Sequence, residues 1–519
     1  MSKTFIVCSG SIYLLFSIQT KNFAQDSHYW TNQFGSRSSL LGGSVVGGVR
    51  DNSAVYYNPG ALAFLDSANL SVNANAYQFD QLKIENGAGD KIDLNSNQTQ
   101  IIPLMVSGLY KFKKNINHSL GYSIITRHQT SIRFSARKDT SLDIIDDHNY
   151  SFGNEEYIGQ FNFSASLNEQ LFGVCYAYRV NKRFALGLTN FVAYRTQNLD
   201  YSFTGRAIPP SDTSIYYLYV APLLTMNDVV NIQFTNIRYI GKIGIALDFN
   251  WLKAGVTVTM PSFNIFGDAI IGRDYTLNNL NLDNVSLKDY LESLNLQYPA
   301  QVDSAIQSFK LQYFYSFTAN DRQNKIKTTY KSPLSVAGGF ELKLKRTKIA
   351  LTAEWFDKVP VYDLATPKKH DFLRPKKWAI ITGITSDKFL RIREGAKSVV
   401  NFAVGIEQEI GKNFSVLASF RTNNSYLQSD DSVSLGTLSI TYWNLYHATL
   451  GIVIKKPKSD INVGLSYGFM IPTKSFPLVE MANPKETNYL GSSPDVNVES
   501  ANISFNSYAL LLGYTYYFK

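Results

Sequence analysis

The chain lacks most of what would mark an enzyme, a disulfide scaffold or a helical membrane protein. It has two cysteines, Cys8 and Cys175. Cys8 falls in a leader-like stretch, so a mature chain holds one thiol and no intrachain disulfide. Cys175, on a strand-like segment, reads as a small packing residue. The six histidines, His28, His118, His128, His148, His370 and His447, lack metal-ligand spacing. There is no Gly-x-Ser-x-Gly elbow, no His-Glu-x-x-His pair and no phosphate-binding glycine loop ahead of a helix. No enzyme constellation, metal or cofactor is therefore expected. The acidic pairs Asp146-Asp147 and Asp430-Asp431 read as solvated loop charge. Net charge is +9, yet no basic run forms a nucleic-acid footprint. Past the leader, no apolar run reaches about 18 residues, which excludes a transmembrane helix.

The leader itself is legible. Lys3 supplies a positive start, Phe5 to Ile18 an apolar stretch, and Asn22-Phe23-Ala24 a cleavage site before Gln25. Residues 1–24 are expected to be a signal peptide. An exported chain with no transmembrane helix can cross a bilayer only with strands.

What the chain has in plenty is aromatic residues, 33 Tyr and 33 Phe against 16 Pro in 519 residues, and period-two alternation. Ile461, Val463, Leu465, Tyr467 and Phe469 share one face, and Asn462, Gly464, Ser466 and Gly468 the other. Phe172, Val174, Tyr176 and Tyr178 oppose Gly173, Cys175, Ala177 and Arg179. Leu252–Met260 and Ile243–Phe249 repeat the pattern, which is that of strands. The second face is small and mildly polar. A soluble sandwich would carry long charged groups there; the inside of a closed barrel with room for a plug would not.

Short polar turns fall at 113–117, 181–183, 250–251, 345–347, 411–413 and 455–460. Longer stretches lie at about 81–99, 139–155, 206–227, 277–311, 361–395, 428–435 and 471–501. Six short turns alternating with seven longer loops require fourteen strands, with both ends on the short-turn side. The strands are expected at about 67–80, 100–113, 117–138, 156–180, 183–205, 228–249, 252–276, 312–345, 347–360, 397–410, 413–427, 436–455, 460–470 and 502–518. Helix-start signals at Ser286–Leu291 and Pro299–Phe309 predict a partly helical loop. The last strand alternates through Tyr508, Leu510, Leu512, Tyr514, Tyr516 and Phe518, an edge that would aggregate in water.

Before the strands lies a glycine-rich apolar stretch, Asn32 to Leu65, with Gly35, Gly42, Gly43, Gly47 and Gly48 and the turn signal Asn58-Pro59-Gly60. Read alone, it is as well an irregular arm packed on a soluble β-protein. Its pattern GSRSSLLGGSVVGGVRDNSAVYYNPGALA resembles the N-terminal hatch of the FadL/TodX family, outer-membrane channels for long-chain fatty acids and other hydrophobic compounds. In that family the segment ends in Asn-Pro-Ala and plugs the lumen; here Gly60 stands where alanine is expected.

The resemblance implies a transmembrane antiparallel β-barrel of the Gram-negative outer membrane, with a hatch over 25–65 and a barrel over 66–519. It also implies periplasmic termini, barrel-assembly machinery as a partner during insertion, and a C-terminal strand of the kind that machinery reads. A monomer surrounded by outer-membrane lipid is expected, passively admitting a fatty acid-like ligand.

In the third strand, Thr126, His128 and Thr130 would interrupt the lipid-facing band, with Arg127, Arg133 and Arg137 on the lumen side. That patch either lies above the membrane or, as the family implies, borders a lateral window, with Arg127 or Arg133 holding a carboxylate. Two other functions stay open: a barrel of the same superfamily serving a protein-secretion system, and a membrane-embedded enzyme.

Overall fold

The computed structural model of the chain describes residues 27–112, 115–146, 151, 153–210, 223–280, 315–374, 385–427, 441–494 and 499–518. The expected leader and the expected helices near 286–309 lie outside the described residues.

The alternating segments form fourteen antiparallel strands. They are β1 (Asn69–Glu85), β2 (Leu94–Lys111), β3 (His118–Leu142), β4 (Glu155–Arg179), β5 (Phe184–Ile208) and β6 (Leu224–Asp248). β7 runs in two pieces, Leu252–Thr259 and Phe263–Leu280, as does β8, Tyr315–Lys327 and Ser335–Leu344. Then follow β9 (Thr347–Phe356), β10 (Val399–Ile410), β11 (Phe414–Asn423), β12 (Leu445–Lys456), β13 (Ser459–Phe469, continued by Thr473–Ser475) and β14 (Ala501–Tyr517). Each pairs with the next, and β14 pairs with β1 from Tyr517↔Asn69 to Asn502↔Glu85, which closes the barrel. Short connections lie where expected at 181–183, 250–251, 345–347, 411–413 and within 455–460, and the turn expected at 113–117 lies partly outside the described residues. The stretch at 81–99 is a correction: β1 and β2 stay paired up to Ile84↔Leu94, so most of it is hairpin. The eighth segment is also interrupted, at 328–334.

Two faces account for the alternation. On β13, Leu465 is 65% exposed on the outside while its neighbour Gly464 is buried inside. On β14, Tyr508, Leu512, Tyr514 and Tyr516 are exposed, and the Tyr508 ring stacks on Tyr467 of β13 at 5.1 Å. An outward belt of Leu, Ile, Val, Phe and Tyr on a closed sheet is what a bilayer, and not water, stabilises.

The wall is uneven in height. β3, β4, β5 and β6 each run 25 residues, whereas β9 and β11 run 10 and β10 and β12 run 12. Along the tall strands the apolar side changes. On β4, Phe172, Val174 and Tyr176 face outward, but higher up Phe161, Phe163 and Leu167 are buried inside. Above the belt the outside is polar, and the inside packs against Phe372, Phe389, Leu390, Val479, Met481 and Leu490 from the longer connections. One of these carries a two-stranded sheet, Val359–Ala365 with Ile392–Ala396.

The lower lumen is filled by the N-terminal segment. It forms α1 (Ser36–Leu40), α2 (Ala54–Tyr57) and a 3-10 turn, Pro59–Phe64. Helices this short do not hold alone. Asp51 caps α1, its Oδ2 accepting from the backbone N–H groups of Arg37 (3.0 Å) and Ser38 (3.1 Å). The rest comes from the barrel wall, whose small inner face admits the segment closely. A Cβ on Gly464 would lie 2.4 Å from Leu40 Cδ2, and one on Gly187 would lie 2.3 Å from the Pro59 carbonyl carbon. The small inward residues of the strands are thus space for this segment.

Candidate functional site

Asn58, Pro59 and Gly60 join the hatch to the wall. Pro59 opens the 3-10 turn, where a missing N–H costs nothing. Asn58 Oδ1 accepts from the Gly60 N–H at 3.1 Å, and its Nδ2 donates to the carbonyls of Val46 (2.8 Å) and Ile245 of β6 (3.0 Å). A Cβ on Gly60 would sit 2.8 Å from the Gly244 oxygen and 2.9 Å from that of Ala185. The departure from Asn-Pro-Ala therefore has a steric reason: this wall comes too close for alanine.

A second anchor is ionic. Arg37 Nη2 lies 2.9 Å from Glu341 of β8 and 2.6 Å from Glu407 of β10, and both carboxylates are buried. Lys348 also reaches Glu407, at 3.2 Å. Burial pushes the Tyr56 phenol on α2 up to about 12, so it stays neutral.

The third strand corrects the expected facing of the sequence patch. Thr126 pairs with Gln170 and His128 with Glu169, so Arg127 is an extra residue, a β-bulge. One added residue turns every later side chain to the opposite face. His128 is consequently buried inside beside Glu169, and Thr130 lines a lumenal cavity. Thr126 is also buried, and Asn32 of the hatch donates to its carbonyl and to that of Arg127, each at 3.3 Å. Arg133 and Arg137, expected in the lumen, are exposed on the outside. Arg127 alone keeps its lumenal place.

Arg127 is not available to a headgroup in the way expected. Its Nη1 lies 3.2 Å from Glu169, which also holds Arg195 at 2.9 Å and Arg238 at 2.6 Å. The Tyr330 ring, carried inward by the break in β8, packs on Arg195 at 4.2 Å and Arg238 at 4.8 Å. Three guanidiniums on one buried carboxylate tie the bulge of β3 to β4, β5 and β6.

At the bulge the wall parts. β2 and β3 are paired from Lys111↔Ser119 up to Met105↔Ile125 and no further, although β2 continues back to Leu94 and β3 on to Leu142. Above that point side chains bridge them: Gln129 Nε2 to the Ile101 carbonyl (3.3 Å), Gln100 Nε2 to the Gln129 carbonyl (3.4 Å), and the Arg133 N–H to Ser96 Oγ (3.0 Å). The outward residues beside the gap include Ile101 and Ile124, at the upper edge of the apolar belt.

Behind the gap is a cavity of about 110 Å³. The hatch contributes Thr31, Asn32 and Gln33; β2 contributes Ser96 and Gln98, and β3 contributes Thr130 and Ile132. Trp443, Leu445, Phe505 and Leu511 supply apolar wall. Arg421 of β11 lines it too, a residue the sequence reading passed over. Its Nη2 donates to the Thr31 carbonyl at 3.0 Å, its Nε is buried with no partner, and it makes no ion pair among the described residues. Inward charge on a strand otherwise uncharged inside, Ser415, Leu417, Ser419, Arg421, was the signal available. Cys175 is buried against the hatch, its Sγ 4.0 Å from the Pro59 carbonyl, as a packing residue would be.

No family model matches the sequence, and no curated protein does. Solved structures match in shape. A Pseudomonas aeruginosa FadL homologue superposes with a TM-score of 0.54 at 13% identity, over 95% of this chain and 100% of that one. The Pseudomonas putida toluene transporter TodX gives 0.53 at 10% identity, over 96% and 100%. The Ralstonia pickettii toluene transporter TbuX gives 0.51 at 10% identity, over 94% and 99%. In fold, this chain is a barrel of the FadL/TodX type, fourteen antiparallel strands closed around an N-terminal hatch.

Proposed function

We propose that the protein is an outer-membrane channel that passively admits hydrophobic small molecules and releases them sideways between β2 and β3. The observation that carries this is the end of the backbone ladder at Met105 and Ile125, directly in front of the cavity. Below the cavity the hatch fills the lumen and is held by Asn58 and by Arg37, so a straight descent is blocked. A molecule that reached the cavity would gain from burial against Trp443, Leu445 and Phe505, and a side exit at the edge of the belt would spare it the aqueous periplasm. No energy source is required.

The same reading places the short turns and both termini on the periplasmic side, with residues 25–65 acting as the plug. Two of the similar structures are toluene transporters, which favours an apolar cargo. An acidic amphiphile such as a fatty acid suits the cavity as well, with Arg421 as the cation for its head in place of Arg127 and Arg133. The test is direct. Protein purified in detergent should retain hydrophobic molecules identifiable by mass spectrometry, and in vesicles it should raise uptake of labelled toluene or fatty acid. Retention of none, with uptake at the level of empty vesicles, contradicts the proposal.

A further inference from the structure

The tall strands leave an outer face that the transport reading does not use. Above the belt, the outward positions of Gln160–Gln170 on β4, Thr196–Arg206 on β5 and Thr225–Thr235 on β6 form one surface across three paired strands, in register from Gln160↔Thr204↔Asn227 to Asn168↔Thr196↔Thr235. Apart from Asp200, Arg206 and Val229, every outward residue in these spans is Asn, Gln, Ser or Thr. A sheet face made for bulk water carries interspersed charges of both signs. This one carries side chains that both donate and accept.

The face begins where the acyl chains end, since Gln170 is followed on the same side of β4 by Phe172 and Val174 of the belt. Its height then decides what stands beside it. A span of about eleven residues rises roughly 35 Å along the strand, and at a tilt near 40° roughly 25 Å along the membrane normal. The headgroup zone of a phospholipid leaflet is only about 5–8 Å deep. Phosphate and choline-sized heads would therefore reach the lowest third and leave the rest uncovered. A lipid whose head is a chain of sugars spans the whole height, and its hydroxyls match a lattice of amides and hydroxyls.

The side chains are only partly spent on one another. Asn162 Nδ2 donates to Ser202 Oγ at 3.4 Å and Asn198 Nδ2 to Ser166 Oγ at 3.5 Å, at the long limit of a hydrogen bond. The Thr204–Asn227 contact is shorter, at 3.0 Å, and Asn231 is bonded to Asp200. From this neutrality, height and position we infer that the outer face of β4, β5 and β6 binds the sugar head of an outer-leaflet glycolipid.

The inference rests on the belt lying in a bilayer, and the experiment separates the two. The full chain is reconstituted in phospholipid with either lipopolysaccharide carrying its core sugars or lipid A alone, and glycolipid co-purifying with the barrel is quantified. Core-bearing lipid should be retained in preference to lipid A. A triple variant, Asn162→Val, Asn198→Val and Asn231→Val, which keeps strand propensity, should lower retention of the core-bearing lipid by about tenfold or more while leaving lipid A within about twofold. Equal retention of the two lipids by the unaltered protein overturns the inference, and needs no variant to fold. Equal loss of both in the variant, or protein self-association through this face in place of lipid retention, overturns it too. Failure to insert into either mixture overturns the membrane reading along with it.

Discussion

Met105 of β2 and Ile125 of β3 are the last pair joined by backbone between those strands, and the residue after next, Arg127, is the bulge. These facts belong together. A bulge ends pairing and re-aims the chain, and here it turns β3 away from β2 while its arginine anchors β3 to β4 through Glu169. Asn32 of the hatch donates to the carbonyls of Thr126 and Arg127, so the hatch touches the edge of the gap itself.

The membrane face is tested by charge. Leu465→Arg should cost on the order of 2–4 kcal/mol near mid-bilayer and impair insertion into vesicles, followed by urea titration of the folded fraction. Gly464→Arg should leave the lipid face intact but strike Leu40, loosening the hatch and raising protease access to residues 27–65. If Leu465→Arg inserts normally while Gly464→Arg blocks insertion, the two faces are reversed.

Arg37 separates two buried carboxylates. In Arg37→Met, Glu341 and Glu407 would face each other with only Lys348, at 3.2 Å from Glu407, and the more distant Arg50, at 3.5 Å from Glu341, to offset them. Loss of one partner from such a site costs about 3–5 kcal/mol. The barrel should remain folded while conductance in planar bilayers rises and fluctuates, and adding Glu341→Gln with Glu407→Gln should restore part of the seal. Conductance unchanged by Arg37→Met would mean that the wall contacts alone hold the hatch.

Arg421 tests the chemistry of the cargo. Arg421→Gln should weaken binding of a long-chain carboxylate by about tenfold or more, the worth of a charge-assisted hydrogen bond, and leave the alcohol of equal length nearly unaffected. Fluorescence displacement in detergent reads both. Equal losses for acid and alcohol would mark Arg421 as a structural residue that supports Thr31.

The barrel was legible because its two faces differ in size as well as polarity: Leu465 beside Gly464 needs no structure to interpret. The third strand was misread for a physical reason. On β4 the apolar residues change parity, from Phe161, Phe163 and Leu167 inside to Phe172, Val174 and Tyr176 outside, and that change marks the top of the belt. On β3 the bulge cancels the change. Tyr122 and Ile124 face outward and Phe134 inward, yet all three have even numbers, so the stripe looked continuous and His128 and Thr130 were placed on its lipid side. A bulge leaves no mark in parity alone. The hatch motif was readable from Asn58-Pro59, whereas Arg37, Glu341 and Glu407 lie too far apart in the chain for spacing to join them.

The most direct test of the account is to close the gap. Cysteines at Gln100 and Gln129, whose glutamine side chains reach across it, should be joined by a short bis-methanethiosulfonate cross-linker that reductant cleaves; Cys175 is buried and does not compete. A control pair at Ser107 and Ser123 lies opposite within the ladder below. Joining the upper pair should bring uptake of labelled toluene or fatty acid into proteoliposomes down to that of protein-free vesicles, and reduction should restore it, while joining the lower pair changes nothing. Uptake that continues at full rate with Gln100 and Gln129 joined would contradict the lateral exit.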